Sequence, residues 1–576
     1  MNHSRIDKKN LEDVLGLTAM QEGMLFHYLA DPGSKQYFEQ IHLRLSGNLD
    51  IGLFKEAWQA VVRSNEMLRS VIRWEKLDEP VQIVLKEKEI IFRVHDLSGE
   101  VPDEQPGLLV KIREADRNQI IDLANDPLRL ALCILNDREA EMIITFHHII
   151  YDGWSTGIIL KEFVDIYDTL CRGKKPRTQR KTKYKEFYKW YRSLAENNEQ
   201  DESWKRYLEG FDTRTILPYN RSKTAGIAHV KTHKITLLPD LKEKVNTLLQ
   251  THNITLATLM FTTWGLLLQR YNNSHDVIFG VTISGRTPAV KGIEDIVGLF
   301  INTLPLRLEL ETPGDDTAAN LFHRVGQHLN ESSVHGYEHT PLTRIRKFAA
   351  TGKENDLFDS LVVIDNYPLE GIDPGMNLTI RSFDQFEMTN FDLTLQILPS
   401  GAAPTMDICF HYNEALFELE TMQRLAEHFH NILFEVTESP GCDKKVASIR
   451  MLSQKEQEQI LLAFNNPEIQ YRGDKTVHGI IHDQVQKTPD RVAIVMKTQH
   501  LTYREFDRES GFLAGLLQES GVTAGSRIAL MLPRSIRMIV SVLGILKAGG
   551  ACIPLDITYP EERSNFIIED SGAKVL

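Results

Sequence analysis

The sequence predicts an α/β fold built from more than one domain. Strand-like segments rich in β-branched and aromatic residues alternate with helical segments from about residue 15 to 170, and again from roughly residue 185 to 440. Such alternation is typical of α/β architectures, in which helices cover a sheet. The chain has 576 residues, of which 42% are hydrophobic and 25% charged, so it is too long for one ordinary domain and has the balance of a globular protein. We therefore expect two α/β lobes followed by a further unit.

Composition and charge argue against several classes of function. The formal net charge of −13 disfavours a nucleic-acid partner, which normally requires a basic surface. Residues 1–9 are polar, unlike a signal peptide, and the apolar stretch at residues 530–546 is interrupted by a proline and two arginines, so no membrane association is expected. One dense basic stretch, residues 172–183, fits a solvated connection between lobes, with a carrier-docking or phosphate-binding role as the alternative.

The cysteines indicate the compartment. They are widely spaced, odd in number and include no Cys-x-x-Cys pair: Cys133, Cys171, Cys409, Cys442 and Cys552. This pattern indicates neither a disulfide framework nor a zinc site. We therefore expect a protein of the reducing cytoplasm that binds no metal.

Two adjacent histidines give the strongest chemical signal in the chain. Residues 147–153 read His-His-Ile-Ile-Tyr-Asp-Gly; residues 142–146 before them predict a buried strand, and the apolar spacing of residues 154–170 predicts an amphipathic helix. Successive side chains of a strand face opposite ways, so His147 and His148 cannot both point into one cavity. Histidine exchanges a proton near neutral pH, which makes one of the two a candidate for chemistry, although histidines in apolar segments are more often plain core residues.

Residues 147–153 match the His-His-x-x-x-Asp-Gly signature of the condensation domains of nonribosomal peptide synthetases. Other segments resemble further motifs of that family in the same order: residues 17–27, 184–190, 281–286, 297–307 and 390–395. Five ordered matches over most of residues 10–440 make the resemblance specific. The sequence departs from the family at Ser64 and Asn65, where the family has Arg-His ahead of Glu-x-x-Leu-Arg, and we interpret this difference as variation of the scaffold.

The resemblance implies two lobes, each similar in fold to chloramphenicol acetyltransferase, arranged as a V with a substrate tunnel between them. The N-terminal lobe is expected at residues 16–180 and the C-terminal lobe at residues 181–445, with His148 midway along the tunnel. In the implied reaction, the α-amine of an aminoacyl thioester on a downstream carrier attacks an aminoacyl or peptidyl thioester on an upstream carrier. The substrates are held on the phosphopantetheine arms of the carrier domains, so no cofactor is expected to bind this chain directly.

The resemblance also implies roles within the site. His148 is expected either to take the proton of the attacking amine or to position the amine and stabilise the charged intermediate, since both roles need the same ring. His147 is expected to support the loop, and Asp152 to form a buried ion pair with Arg286 instead of acting as an acid. Gly153 is expected to permit a close backbone approach, with an amide that faces the oxyanion. Four residues are expected along the tunnel: Tyr151, Trp154, Ser284 and Asn302.

The motif discriminates among other functions of the same fold. An epimerisation domain shares the two histidines but normally ends a module, and a heterocyclisation domain has an Asp-rich signature instead. A noncatalytic carrier-recruitment module, or an inactive synthetase fragment, is the alternative from a different class. Such modules tend to lose the second histidine or the glycine, and both are present here. The D or L configuration of the donor stays open.

The sequence changes character after residue 445. Residues 446–475 carry turn signals and predict a linker. Residues 476–576 include two segments, 501–506 and 546–556, that resemble the first core motifs of an adenylation domain. The Gly-rich loop for ATP phosphates and the carboxylates for Mg²⁺ come later in that family. We therefore expect a partial adenylation domain that does not activate an amino acid, with ATP and Mg²⁺ belonging only to a complete one.

Residues 1–15 are a candidate docking segment. Residues 10–17 resemble the acceptor docking segments through which one synthetase recognises another, and the alternative is a plain first helix. The expected partners are upstream and downstream peptidyl carrier domains, together with an upstream synthetase that binds this segment.

Overall fold

The computed structural model describes most of the chain: residues 7–31, 33, 35–176, 181–194, 199–222, 230–312, 314–334, 336–349, 357–365, 377–399, 404–438, 443–465, 473 and 475–574. The chain divides into two compact units, Met1–Gln457 and Glu458–Leu576, and the first unit contains two lobes. Within the described residues, no helix combines the length and the apolar content needed to cross a lipid bilayer.

The first lobe is a mixed sheet covered by helices. Its elements are β1 (Leu11–Gly16), α1 (Ala19–Ala30), β2 (Phe38–Gly47), α2 (Ile51–Ser64), β3 (Ser70–Arg73), β4 (Val81–Leu85), β5 (Ile91–Asp96), α3 (Gln105–Arg117), β6 (Leu128–Asn136), β7 (Glu139–His147) and α4 (Gly153–Cys171). Strands β2, β7, β6 and β5 lie side by side in that order, and only β5 and β6 are parallel. Strand β7 and helix α4 confirm the strand and the helix predicted on either side of the histidine motif.

Aromatic packing fixes helix α4 on this lobe. Phe54 and Trp58 of α2 contact Phe163 of α4, and the rings of Trp58 and Phe163 stack at a centroid distance of 4.9 Å. All three side chains are buried, and burial of each contributes about 1.5–3 kcal/mol. The start of α4, where the histidine motif ends, therefore has a firm position.

The second lobe contains a six-stranded sheet. Its elements are α5 (Tyr184–Leu194), α6 (Glu199–Leu208), β8 (Val230–Leu237), α7 (Pro239–His252), α8 (Leu256–Asn272), β9 (Asp276–Ile283), β10 (Asn302–Glu309), α9 (Ala318–Val334), α10 (Leu342–Ile345), β11 (Ser360–Ile364), β12 (Leu378–Glu387), β13 (Leu393–Leu398), β14 (Met406–Asn413) and α11 (Leu419–Thr437). The strand order is β10-β9-β11-β13-β14-β8. Strand β11 is parallel to both of its neighbours, β9 and β13, and the other neighbouring strands of this sheet are antiparallel.

Segments of the second half of the chain complete the first lobe, so the predicted division at residues 180 and 181 is too simple. Strand β12 joins the first lobe's sheet at the edge of β2. Tyr184 and Phe187 of α5, with Val297 and Phe300 of the segment before β10, lie in the same apolar core as α2 and α4. These crossings allow residues from both halves of the chain to meet around one cavity.

The N-terminal segment is a strand. Leu11–Gly16 pairs antiparallel with β4, so the helical alternative for residues 10–17 is wrong, because the pairing supplies backbone hydrogen bonds that a helix would make internally. Residues 1–6 of the predicted docking segment lie outside the described residues. Docking by this segment stays a prediction.

The basic stretch after α4 is ion-paired where the structure describes it. Lys181 Nζ contacts the carboxylate of Glu162, and Lys183 Nζ lies 2.8 Å from Glu12 Oε1. The predicted solvated connection is therefore held against the first lobe at its C-terminal end. Arg177 and Arg180, two of its basic residues, lie outside the described residues.

The second unit contains a hairpin and a parallel strand pair. After α12 (Gln454–Glu458), its elements are α13 (Val477–Lys487), β15 (Val492–Met496), β16 (Gln499–Thr502), α14 (Tyr503–Glu519), β17 (Arg527–Leu530), α15 (Ile536–Lys547), β18 (Ala551–Pro554) and α16 (Glu561–Ser571). Strands β15 and β16 are antiparallel, and β17 and β18 are parallel. Several large apolar side chains of this unit are exposed, among them Val495, Phe512 and Phe566.

The predicted linker at residues 446–475 begins too early. Val446 and Ile449 are buried in the core of the second lobe, and Arg270 Nη2 donates to the Val446 carbonyl at 2.5 Å. The first unit therefore continues to Gln457. Residues 466–472 of the predicted linker lie outside the described residues.

Candidate active site

The structure separates the two histidines of the motif. His148 borders a cavity of about 710 Å³ in the first unit, and the walls of this cavity include Trp154 of the first lobe and Ser284 and Asn302 of the second. His147 ends β7, is buried, and packs edge to face against Tyr28 at a centroid distance of 5.8 Å. Only His148 therefore presents its ring to the space between the lobes.

Backbone carbonyls fix the orientation of His148. Its Nδ1 lies 2.9 Å from the carbonyl oxygen of Tyr151, and its backbone N–H donates to the carbonyl of Tyr37 at 2.9 Å. A carbonyl oxygen only accepts, so Nδ1 carries a hydrogen and the lone pair of the neutral ring is on Nε2. Nε2 is the nitrogen available for proton exchange, and it lies 3.1 Å from Oε1 of Glu39.

Tyr151 does not line the cavity, and its predicted position along the tunnel is wrong. Its side chain is buried and stacks on Phe146 at a centroid distance of 4.0 Å. The backbone turns at this point, so Tyr151 offers its carbonyl to His148 and its ring to the core.

His147 is held neutral in the core. Its Nδ1 accepts the backbone N–H of Ile149 at 3.1 Å, and its Nε2 has no hydrogen-bond partner among the described residues. Burial and, as the smaller effect, the neighbouring His148 lower the pKa of His147 to about 3. A ring that stays uncharged and makes a bond within the motif supports the loop.

Asp152 is completely buried and fully paired. Its Oδ1 accepts the backbone N–H of Ser155 at 3.0 Å and lies 3.1 Å from Arg286 Nη2, while Oδ2 accepts the backbone N–H of Phe300 at 3.0 Å. The first of these bonds caps α4 at its N-terminus. The predicted pair of Asp152 and Arg286 is therefore present, and it joins the histidine loop to the segment before β10.

Arg286 reaches Asp152 because the chain turns sharply before it. Gly285 has a φ of +60°, and an added Cβ would clash with the backbone carbonyl of Phe300, so only glycine fits here. The Arg286 guanidinium lies over the ring of Phe300 at 4.2 Å and donates to the carbonyl of Ile296 at 3.0 Å. These contacts hold the guanidinium of Arg286 beside Asp152.

The remaining predicted residues border the cavity. Gly153 is the first residue of α4, and Trp154 Nε1 donates to the carbonyl of Glu294 at 3.2 Å. Asn302 Nδ2 donates to the carbonyl of Thr340 at 2.9 Å. The side chains of Trp154 and Asn302 are thus held by backbone groups of the second lobe, which gives the cavity wall a defined shape.

Two glutamates beside His148 were missed in the sequence. Glu39 of β2 is buried and Glu387 of β12 is partly buried. The two residues are directly opposite in the antiparallel register of β2 and β12. One carboxylate oxygen of each and one ring nitrogen of His148 lie within 4.8 Å of one another.

The surroundings of the two glutamates raise their pKa values. Burial raises the pKa of Glu39 well above its usual range, and Asp365 and Asp152 raise it further. Burial, followed by Glu39 and Asp365, raises the pKa of Glu387 to about 8. A glutamate inside a strand with buried neighbours on both sides was the available signal.

Residues 17–27, the first of the predicted motifs, support the histidine loop through helix α1. Gln21 of α1 donates from Nε2 to the carbonyl of Ile149 at 3.0 Å and to Oε1 of Gln82 at 3.0 Å. Thr18 caps α1 and exchanges two bonds with Gln21. The sequence pattern identified this motif, and the structure gives it a positioning role.

A histidine whose ring borders a cavity between two α/β lobes, with Nδ1 bonded to a backbone carbonyl, fits the two-lobed fold of the chloramphenicol acetyltransferase class. The fixed loop holds the ring at the cavity wall. The family comparison agrees. The family model described as condensation domain matches residues 11–461, and the model described as AMP-binding enzyme matches residues 481–576. The chain belongs to the condensation domain family of nonribosomal peptide synthetases, followed by the start of an AMP-binding domain.

Relatives extend the comparison along the whole chain. Tyrocidine synthase 2 of Brevibacillus parabrevis is 35% identical over 582 residues, which is 100% of this chain and 16% of that protein. Gramicidin S synthase 2 of Brevibacillus brevis is 32% identical over 98% of this chain and 13% of its own length. The chain therefore spans about a sixth or less of these relatives.

Solved structures share the fold. The starter condensation domain of rhizomide synthetase superposes with a TM-score of 0.62 and 18% identity, covering 77% of this chain and 100% of that one. The first condensation domain of the CDA synthetase gives a TM-score of 0.61 with the same identity and coverage. At this identity the similarity establishes the two-lobed fold alone.

Proposed function

We propose that the condensation region catalyses peptide-bond formation between substrates on two carrier domains. The α-amine of an aminoacyl thioester on a downstream carrier attacks the thioester of an upstream carrier, and phosphopantetheine arms bring both groups into the cavity. One observation carries the proposal: the Nε2 lone pair of His148 faces a cavity lined by both lobes, while a backbone carbonyl fixes Nδ1. A free α-amine has a pKa near 8, so a weak base at this position is sufficient.

The chemistry needs a route for the proton of the amine and a donor for the oxyanion. His148 Nε2 is suited to accept that proton as the C–N bond forms, or to position the amine through a hydrogen bond. Gly153 begins α4, whose first-turn amides carry partial positive charge beside the cavity. We therefore assign oxyanion stabilisation to the backbone amide of Gly153.

The proposed partners follow from the substrates. An upstream and a downstream peptidyl carrier domain deliver the two arms, and the segment that continues from residues 1–15 into β1 is a proposed docking site for an upstream synthetase. Leu11 and Val14 of β1 are exposed, which supports a contact with another chain. We place the reaction in the cytoplasm, where carrier domains are loaded with aminoacyl groups.

Transfer between two carriers tests the proposal. The purified chain is mixed with a dipeptidyl donor carrier and an aminoacyl acceptor carrier, and the carrier arms are read by mass spectrometry. We expect the tripeptidyl product on the acceptor with the wild-type protein, and at least a hundredfold slower formation with His148→Ala.

The control separates catalysis from recruitment. Carrier binding is measured in parallel by calorimetry for the wild type and His148→Ala. Retained binding with no product from the wild type across several donors would contradict catalysis and favour the recruitment module. Equal rates for the two proteins would also contradict it.

A further inference from the structure

Two acidic side chains are held against each other beside the reacting nitrogen. Glu39 and Glu387 are directly opposite on adjacent antiparallel strands, where side chains approach closely and like charges destabilise the sheet. Both border the cavity together with His148. Such a pair is stable when it holds a proton or when a cation binds between its members.

The hydrogen bonds of His148 require one hydrogen between its ring and Glu39. Nδ1 of His148 already donates to a carbonyl, so the contact between Nε2 and Oε1 of Glu39, at 3.1 Å, requires one hydrogen, carried either by the carboxyl or by the ring. The other oxygen of Glu39 accepts from Gln385 Nε2 at 3.3 Å. His148 and Glu39 therefore act as one protonated unit, with Glu387 as the second carboxyl.

The surroundings of the cluster are acidic. Besides Glu39 and Glu387, the described residues that line the cavity include Asp365, directly after β11, and Glu338, in the turn after α9. Arg346 is the single arginine or lysine among these lining residues. Charge of this sign in a cavity partly screened from water attracts cations.

We propose that Glu39 and Glu387 form, with His148, a binding subsite for the primary ammonium group of the acyl acceptor. The inference rests on the proposed function for the identity of that group. An ammonium has three donors, which match the two carboxyls and Nε2 of His148. Its binding displaces the hydrogen that Nε2 and Glu39 share, which is released to solvent, so that both carboxyls are ionised and Nε2 accepts from the ammonium. Return of one ammonium proton to the carboxyl pair then leaves the neutral amine beside His148.

Direct binding tests the subsite without turnover. The probe is alanyl-aminopantetheine, in which an amide replaces the thioester, and its partner is the same molecule acetylated on the α-nitrogen. Ligand-detected NMR gives the dissociation constant of each with the full chain. We expect the free-amine probe to bind wild type at least about tenfold more tightly, a difference of about 1.4 kcal/mol, and Glu39→Gln/Glu387→Gln to bind both equally.

Glu338→Gln is the matched control, because it removes a carboxyl from the same cavity and should keep the tenfold preference. The glutamines of the double variant have nearly the same shape as the glutamates, and a melting curve shows whether this variant folds. If it does not fold, the comparison of the two probes on the wild-type protein still tests the subsite. Equal binding of the two probes to wild type, no binding of the free-amine probe, or a preference retained in a folded double variant would overturn the subsite. A protein that binds but does not condense would contradict only the proposed function.

Discussion

Two groups of buried charges lie on either side of the motif, and they differ in how they are satisfied. Asp152 accepts three backbone or hydroxyl bonds in addition to its ion pair with Arg286. Glu39 and Glu387 instead oppose each other, with an imidazole as the nearest basic group. In an opposed pair of carboxyls, each group disfavours the charged form of the other, so one of the two tends to hold a proton.

The two groups around His148 are therefore expected to have different roles. The Asp152 group holds the loop in place, and the glutamate pair takes part in proton exchange. The Asp152 group joins the loop of His148 to the second lobe, so its loss should unfold the site. Glu39 contacts Nε2 itself, at 3.1 Å, and Glu387 lies within 4.8 Å of the same cluster, so loss of the pair should change proton exchange and substrate binding while the fold persists. Sequence motifs identify only the first group.

The largest effect is expected from Asp152→Ala. Breaking a buried ion pair leaves Arg286 without its carboxylate and costs about 3–5 kcal/mol, with loss of activity as a consequence. Denaturant unfolding of the first unit, followed by tryptophan fluorescence, gives the free energy. The matched control is Asp50→Ala: Asp50 caps α2 through the Leu53 N–H at 2.9 Å but is exposed, so its loss should cost about 1 kcal/mol. Equal costs would contradict a special role for the buried pair.

His148→Ala should lose activity while keeping its stability. The proton route disappears, which slows condensation by about 10²–10⁴-fold, whereas the fold loses the two ring contacts of His148, to the Tyr151 carbonyl and to Glu39. His147→Ala should show the reverse balance, because a buried ring is removed from the core and large-to-small core changes cost about 2–5 kcal/mol. Rapid-quench kinetics and thermal melting of both variants check this. A folded, fully active His148→Ala would exclude the assignment.

Glu387→Gln should change how stability depends on pH. The folded pKa is raised to about 8 from the ordinary value of 4.5 by burial, Glu39 and Asp365, against the opposing effect of His148. The folded protein therefore holds this proton more tightly than the unfolded chain does. The stabilisation that protonated Glu387 contributes is complete below about pH 4.5 and is lost as the pH rises towards 8. The variant lacks this loss, and its free energy of unfolding should exceed that of wild type by an amount that grows from pH 5 to 8. Parallel curves would argue against a titrating pair.

Tyr151→Phe should have the smallest effect. The ring volume and its stacking on Phe146 are kept, so stability changes by less than about 1.5 kcal/mol, and the carbonyl that orients His148 is unchanged. The condensation rate should stay within about twofold of wild type in the two-carrier assay. A loss comparable to that of His148→Ala would restore the predicted tunnel position of Tyr151.

Local patterns predicted much of the fold and part of the site. The strand before His147, the helix after Asp152 and the facing of only one histidine towards the cavity follow from periodicities of two and 3.6 residues. The pairing of Asp152 with Arg286 was implied by family motifs that lie far apart in the sequence. These features depend on short segments whose residues carry their own signal.

The remaining features depend on contacts that no local pattern encodes. Strand β12 lies late in the chain but pairs with β2, and only that pairing brings Glu387 opposite Glu39. Tyr151 was placed wrongly because alternation ends where β7 ends, at His147. The alternative to a docking segment at residues 10–17 was a plain first helix, yet pairing with β4 makes residues 11–16 a strand.

The most direct test is the nitrogen chemical shifts of His148, measured with ¹⁵N-histidine and assigned with His148→Ala. The structure predicts a protonated Nδ1 and a hydrogen-bonded lone pair on Nε2, whose signal changes as Glu387 titrates near pH 8 and loses that change in Glu39→Gln/Glu387→Gln. A hydrogen on Nε2 with the lone pair on Nδ1, or the same titration in the double variant, would contradict the division between a scaffold group and a proton-exchanging group.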